Sequence, residues 1–356
     1  MLSIIDRYIG KTVVLMSFVS LGVLTGLSTL IRFVEQLRAI GRGTYDMMDV
    51  LAFVILSIPR DIETFFPMAT LLGGLLGMGA LANNSELVVM MAAGRSKLNL
   101  MASVMKASVI MMIAVIAIGE WVAPQSEAQA RQLRAQAVSG GALISAPQGV
   151  WAKDGDSFIH IDQVENTGLL NDISIYEFND LHLERLIESE RALYTEQGWR
   201  FEDGQITIFS EERVDTQSFD IYEWNSGLTP EKLGVVTVKP ESLPISGLIE
   251  YVNYLKDNQQ SAARYELALW RKAFAPITVG VMLLVALSFI FGPLRSVTMG
   301  ARVLMGVITG FVFYVVNEVF GPFSQVYDIP PALGALIPSL LFACAAFYFL
   351  VKQRRA

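Results

Sequence analysis

Charge-free apolar runs recur along this chain at lengths that suit a bilayer. The three cleanest, Thr12 to Ile31, Ala273 to Leu294 and Ile329 to Val351, each approach or exceed the roughly 20 residues that cross hydrocarbon as a helix. Three more, near Phe65 to Asn83, Leu100 to Val122 and Val303 to Gly321, reach spanning length if an ionisable residue is accepted near one end. The pattern predicts six transmembrane helices, three on each side of a long polar insert. Inside the insert the period changes to two: Phe158, His160 and Asp162 alternate with Ile159 and Ile161, and Ile173, Ile175 and Tyr176 to Phe178 continue the theme. Asp154-Gly155-Asp156, Gln197-Gly198 and Asp203-Gly204 are the turn markers, so an antiparallel sandwich, jellyroll or open barrel is expected. After Pro244, residues Ile245 to Leu269 regain helical spacing through Leu248, Tyr251, Val252 and Leu255 and should lead into the fourth span. The expected fold is an α-helical integral membrane protein with six transmembrane helices plus an all-β, jellyroll-like domain inserted between helices 3 and 4. The expected boundaries are 1–124, 125–264 and 265–356.

Composition sharpens this picture. With 53% apolar and 17% charged residues the chain makes a poor soluble surface. The charges are also segregated, with 23 Asp or Glu against 11 Lys or Arg between Gln125 and Arg264, so the insert is an acidic domain in water. The single cysteine, Cys344, falls in the last apolar run, which excludes an intrachain disulfide. Orientation follows from Arg7, Lys11, Arg95, Lys97, Lys106, Arg295, Arg302, Lys352, Arg354 and Arg355, which all fall on one side if the spans alternate. That bias marks the cytoplasmic side, places both termini there and puts the insert outside. The stretch Leu2 to Lys11 suits a short interfacial helix ahead of span one. The run after it is too long for a signal-peptide core and lacks a small-residue cleavage pattern, so no cleaved leader is expected.

Catalytic signatures do not stand out. The sequence has no G-x-x-x-x-G-K-[ST] phosphate loop and no G-x-S-x-G elbow. Gly77-Met78-Gly79-Ala80-Leu81-Ala82 fits a loose dinucleotide pattern, but it lies inside an apolar span, where small residues serve close helix packing. His160 and His182, the only histidines, have no Cys or second His at ligand spacing, so no metal site is expected.

Three constellations remain. Between spans two and three, Asn83-Asn84-Ser85-Glu86 can start a helix with Ser85 as N-cap, and Gly94 can stop it. The residues between, Leu87, Val88, Val89, Met90, Met91, Ala92 and Ala93, form a short apolar helix facing the cytoplasm. It either docks in a partner's groove, with Met90 and Met91 as adaptable anchors, or is the end of span two lying on the membrane. Outside, Arg32, Arg38, Arg42 and Arg60 flank spans one and two, and Arg131 and Arg134 share a helix face after span three. Such a collar suits a phosphate-rich ligand at the outer leaflet, while each arginine alone suits headgroups or pairing with Glu35, Asp46, Asp49 or Glu127. Finally, Glu120 and Glu318 sit near the external ends of spans three and five, where burial of an acid is costly. Glu120 reads as a packed hydrogen-bond partner, and the role of Glu318 is open.

These residues carry a family resemblance. Asp6-Arg7-Tyr8-Ile9-Gly10-Lys11, Ser85-Glu86-Leu87-Val88-Val89-Met90, Gly119-Glu120-Trp121-Val122-Ala123-Pro124-Gln125, Ala152-Lys153-Asp154-Gly155 and Leu287-Ser288-Phe289-Ile290-Phe291-Gly292-Pro293-Leu294-Arg295-Ser296 together resemble the LptF/LptG permeases of lipopolysaccharide export in Gram-negative inner membranes. The resemblance extends over essentially the whole chain. It implies a non-catalytic permease subunit of an ABC exporter, with no cofactor of its own, because ATP and Mg are bound by the partner ATPase. It also implies a heterodimer with an LptF-type permease, an LptB-type ATPase dimer, an LptC-type single-span jellyroll protein and an LptA-type periplasmic bridge, with no nucleic acid. By the same resemblance Ser85, Glu86, Leu87, Val88, Met90, Met91 and Gly94 belong to the ATPase coupling helix, and Arg32, Arg38, Arg131 and Arg134 meet lipid phosphates. Ala39 departs from a second basic residue found in some relatives. Spans one and five would line the acyl cavity, with Leu24, Leu27, Phe311 and Tyr314 as contacts. The alternatives are a membrane-bound enzyme that modifies lipid headgroups through Glu120, Glu318 or the external acids, and a sensor or assembly scaffold built on the external domain.

Overall fold

A computed structural model describes residues 3–139, 142–155, 157–165, 168–179, 182–195, 198–210, 213–224, 226, 228–230, 239–291 and 297–352. The chain builds α1 (Ile4–Leu37), α2 (Met47–Asn83), α3 (Glu86–Ala92), α4 (Lys97–Ala117), a π turn (Ile118–Val122) and α5 (Ala123–Ser139). Six strands follow: β1 (Ala142–Asp154), β2 (Ser157–Glu165), β3 (Leu169–Asn179), β4 (His182–Thr195), β5 (Gly198–Phe209) and β6 (Val214–Trp224). A 3₁₀ turn at Pro240–Ser242 leads to α6 (Ile245–Asp257), α7 (Ala263–Ile290), α8 (Met299–Val326) and α9 (Pro331–Lys352). Among the described residues six helices are long and apolar enough to cross a membrane: α1, α2, the continuous Lys97–Val138 rod, α7, α8 and α9. The chain is thus a multi-pass membrane protein with a six-stranded antiparallel sheet between its third and fourth spans.

Capping sets where the helices begin. The Ser3 hydroxyl accepts the Asp6 N–H while the Asp6 carboxylate accepts the Ser3 N–H, and Asp46 with Asp49 repeats the device at the start of α2. Helix α1 starts at this box and continues unbroken, so the stretch expected to lie at the interface forms the first turns of the same helix as span one; Leu2 lies outside the described residues. Helix α2 has 37 residues, about 55 Å at 1.5 Å per residue, well beyond a hydrocarbon core of roughly 30 Å. Its first half leaves the bundle and packs against α5 through a cluster of Ala39, Tyr45, Val50, Phe53, Val54 and Ala130. Small residues let α2 meet its neighbours closely. A Cβ at Gly73 would lie 2.1 Å from Ser17 Oγ on α1, and one at Gly77 would lie 3.1 Å from Val13 Cα. Gly79 faces the buried Arg302, whose Nη1 donates to the Gly79 carbonyl at 2.9 Å. The loose dinucleotide pattern is therefore a packing seam.

The strands are neighbours in chain order, β1 to β6, each antiparallel to the last. Ile159 pairs with Ile175, Ile161 with Ile173, Ile175 with Ile187 and Ile187 with Ile206, so the alternating isoleucines make one apolar face. Tyr251, Val252, Tyr254 and Leu255 of α6 pack on that face beside Trp199 and Phe201. The Tyr254 hydroxyl donates to the Lys153 carbonyl at 2.9 Å, and burial pushes its pKa up to about 12, so it remains a donor at physiological pH. Gly155 (φ +59) turns β1 into β2 as the sequence suggests, with Asp156 outside the described residues, as is Gln197 before Gly198. Asp203-Gly204 makes no turn. Strand β5 continues through it without a register shift, although Asp203 takes φ +53, with Gly204 paired to Ser189 and Phe219, and glycine is required because the Glu188 carbonyl lies 2.3 Å from where its Cβ would stand. The helix expected over Ile245 to Leu269 is broken between Asp257 and Ala263, where Gln259 takes φ +53.

Gly73→Ala should separate α1 from α2, because the clash involves Ser17 backbone as well as its hydroxyl. The expected loss is about 1–3 kcal/mol, read as a lower thermal midpoint in detergent. Gly26→Ala, with nothing within 4 Å of the new Cβ, should leave that midpoint unchanged.

Candidate functional site

The two ends of the bundle carry different chemistry. At the end away from the sheet, α3 hangs between two left-handed residues, Ser85 (φ +60) and Gly94 (φ +90). Gly94 stops the helix as expected, but Ser85 makes no side-chain cap. A capping serine needs extended backbone, and a chain that reverses from α2 through Asn84 and Ser85 alone does not allow it. Leu87, Met90 and Met91 share one helix face at i, i+3 and i+4. Leu87 is buried, and both methionines are partly buried against the bundle core. The outward face belongs to Val88 (54% exposed) and Val89 (66% exposed). Glu86 accepts a hydrogen bond from the Tyr8 hydroxyl of α1 at 2.8 Å.

At the end that carries the sheet, charged side chains are held in pairs. Arg32 of α1 is ion-paired with Asp61 of α2, which also accepts from the Ser28 hydroxyl at 3.0 Å. Arg60 pairs with Glu63 at 2.6 Å, and Lys272 of α7 lies 3.3 Å from the same carboxylate. Lys272 also donates to the Gly119 carbonyl at 2.9 Å inside the π turn. A Cβ at 119 would stand 2.8 Å from Glu63 Oε1, so the close approach needs glycine there. The neighbouring Glu120 accepts the N–H groups of Ile245 (2.8 Å) and Ser246 (3.4 Å), fastening the first turn of α6. Arg131 lies 3.6 Å from Glu127, one turn away on α5. Arg134 is exposed, with its guanidinium 5.9 Å from the centre of the Phe53 ring. Arg38, at the C-cap of α1, is also exposed. Of the four arginines assigned to lipid phosphate, Arg38 and Arg134 thus face outward, while Arg32 and Arg131 already have carboxylate partners. Glu318 of α8 sits 3.8 Å from Arg271. Glu120 thus serves as the anchor of a helix start, and Glu318 lies half exposed beside Arg271.

Sequence reading missed Asp61, Glu63 and Lys272. The available signal was three ionisable residues, Arg60, Asp61 and Glu63, within four positions just before an apolar span. They looked like a boundary, whereas Asp61 and Glu63 are partners for charges on α1 and α7.

Between the two ends, Leu24 packs partly into the core, while Leu27 (58%), Phe311 (60%) and Tyr314 (46%) are exposed. They do not meet inside this chain, because α2 lies between α1 and α8: Gly73 and Gly77 touch α1, and Leu72, Leu75 and Met68 touch Gly306 and Gly310 of α8. The apolar pocket beside Phe18, Leu21, Phe66 and Met111 holds about 10 Å³, too little for an acyl chain. Only 22% of the most apolar stretch of α1 and 17% of that of α8 is buried, against 67% for α2.

A bundle of membrane-spanning helices with little-buried outer spans, a short exposed helix at one end and a β domain at the other fits a membrane permease subunit. The chain belongs to the LptF/LptG family of lipopolysaccharide export system permeases, which it matches over residues 7–352. It is 47% identical over 99% of its length to the whole of the lipopolysaccharide export system permease protein LptG of Haemophilus influenzae. It is 46% identical over 98% of its length to 98% of LptG of Escherichia coli K12. Similarity to LptF of Escherichia coli K12 is weaker, 26% over 46% of this chain and 50% of that protein.

Removing one side of the buried Glu63–Lys272 pair should cost about 3–5 kcal/mol by stranding a charge. Glu63→Ala is expected to lower the detergent unfolding midpoint sharply. Glu63→Leu combined with Arg60→Met and Lys272→Met, which removes both cations that Glu63 neutralises, should recover most of the loss, and recovery separates charge pairing from simple packing.

Proposed function

We propose that this chain is the LptG-type half of the lipopolysaccharide exporter. In this reading it lies in the bacterial inner membrane with both termini cytoplasmic and the sheet domain periplasmic, and it extracts lipopolysaccharide from the outer leaflet. Its partners are an LptF-type permease, an LptB-type ATPase dimer that binds ATP and Mg, an LptC-type single-span protein and an LptA-type bridge. The observation that carries the reading is the uncovered apolar surface of α1 and α8, joined to a near full-length likeness to LptG proteins.

Physics gives that surface a task. Moving an acyl chain out of lipid costs about 0.8 kcal/mol per CH₂, on the order of 10 kcal/mol for a dozen carbons, and lipopolysaccharide carries several chains. Spontaneous release is therefore slow, and the chains need apolar shelter on the way out. The apolar pocket among the described residues beside Phe18 and Met111 is too small for an acyl chain, so in this reading the shelter forms between two permeases, with Leu27 on α1 and Phe311 and Tyr314 on α8 facing it. Arg38 and Arg134 offer cations at the rim where the phosphates sit. Closing the shelter against the lipid requires work, which enters through α3. Val88 and Val89 supply an apolar ridge for the ATPase groove, and Glu86 beside the helix N-terminus supplies its charge.

Glu86→Lys should leave the spans folded and reduce ATPase co-purified from membranes. Full co-purification with normal export would remove α3 from the coupling role. Arg131→Glu with Arg134→Glu should weaken site-specific photocrosslinking to lipopolysaccharide at the rim. Unchanged crosslinking would leave both arginines as Glu127 and Phe53 partners only.

A further inference from the structure

Helix α3 is tied to α1 by side chains, although the chain joins it directly only to α2 and α4. The Tyr8 hydroxyl on the second turn of α1 donates to Glu86 Oε2 at 2.8 Å across 78 residues of sequence. Just after α3, Arg95 Nη2 donates to Ser3 Oγ, the N-cap of α1, at 2.9 Å. The same turn of α1 is fixed to α4 by Asp6, which is buried and accepts from Ser103 Oγ at 2.6 Å and Lys106 Nζ at 2.9 Å.

The mechanics follow from where the chain can bend. Ser85 and Gly94 place a left-handed residue at each end of α3, so the helix can tilt about them without unwinding α2 or α4. A tilt that changes the position of Glu86 pulls on Tyr8, the one side chain on α1 that Glu86 contacts by hydrogen bond. Helix α1 is continuous from Ile4 to Leu37 and carries few buried residues on its outer side. Because Asp6 fastens that end to α4, a displacement at its first turns moves α1 together with the start of α4 and travels along the rigid α1 rod to Leu27, at the proposed lipid shelter.

We infer that Tyr8 is a transmission residue: its hydroxyl bond to Glu86 passes displacement of α3 to α1, coupling nucleotide turnover to movement of the lipid-facing wall. The inference rests on the functional reading above, since it needs α3 to be driven by an ATPase and α1 to face lipid. Tyr8 acts through Glu86 and α1 and touches neither nucleotide nor lipid in this role, so it is a positioning residue.

The test uses the complete exporter, with partner permease and ATPase, reconstituted in proteoliposomes with lipopolysaccharide. Tyr8→Phe removes one hydroxyl and keeps the ring. Subunit co-purification, thermal midpoint and ATP turnover should match the unaltered complex, while lipopolysaccharide released per ATP hydrolysed should fall about fivefold. In a double-mutant cycle Tyr8→Phe should add no further loss to Glu86→Gln. An unchanged release ratio, an additive double variant, or loss of ATPase binding in Tyr8→Phe would each overturn the inference, the last by placing Tyr8 in docking. An unaltered complex that releases no lipopolysaccharide with ATP would overturn the functional reading and this inference together.

Discussion

A charge in hydrocarbon has to find its counter-charge within the protein, whereas an apolar surface there needs no cover. That asymmetry organises this chain. Asp6 meets Lys106, Asp61 meets Arg32, and Glu63 meets both Arg60 and Lys272. Each pair links two helices or braces one, and together they fix α1, α2, α4 and α7 at the two ends of the bundle. Meanwhile α1 and α8 leave most of their apolar surface bare. The result is firmly joined at its ends and open along its flanks, which suits a part built to close against a second chain around lipid.

The π turn joins the bundle to the β domain. Its Gly119 carbonyl receives Lys272 from α7, and its Glu120 holds the start of α6, the helix that packs on the apolar face of the sheet. The sheet domain is thus fastened to the third span at α5 and again at α6, and α7 descends from there as the fourth span. π turns recur at functional positions because the widened turn frees backbone groups for other partners. Here the partner is a lysine that also neutralises a buried glutamate.

Much of this was legible from residues alone. The number of spans follows from apolar length, and the sheet follows from the alternation of Ile159 and Ile161, then Ile173 and Ile175, because both patterns are local. The extent of α2 was not, because Arg60, Asp61 and Glu63 read as the edge of a span. The partners of Asp61 and Glu63 lie on α1 and α7, and no local pattern announces a pairing 29 residues away such as Arg32 with Asp61. The same holds at α3. Its length and its glycine stop are visible in sequence, but the inward turn of Met90 and Met91 depends on how the α2–α3 corner bends. Ser85 failed as a cap, and Asp203-Gly204 failed as a turn, because tertiary contacts overrode residues that favour those roles.

The central claim is that this chain is one half of a lipid gate whose driving force comes from another polypeptide. Gentle extraction from native membranes, followed by mass spectrometry of the intact assembly and its retained lipid, tests it most directly. The account predicts one copy of this chain with a second, different permease, an ATPase dimer and bound lipopolysaccharide. Recovery of this chain by itself, hydrolysing ATP or moving lipopolysaccharide without companions, would contradict it.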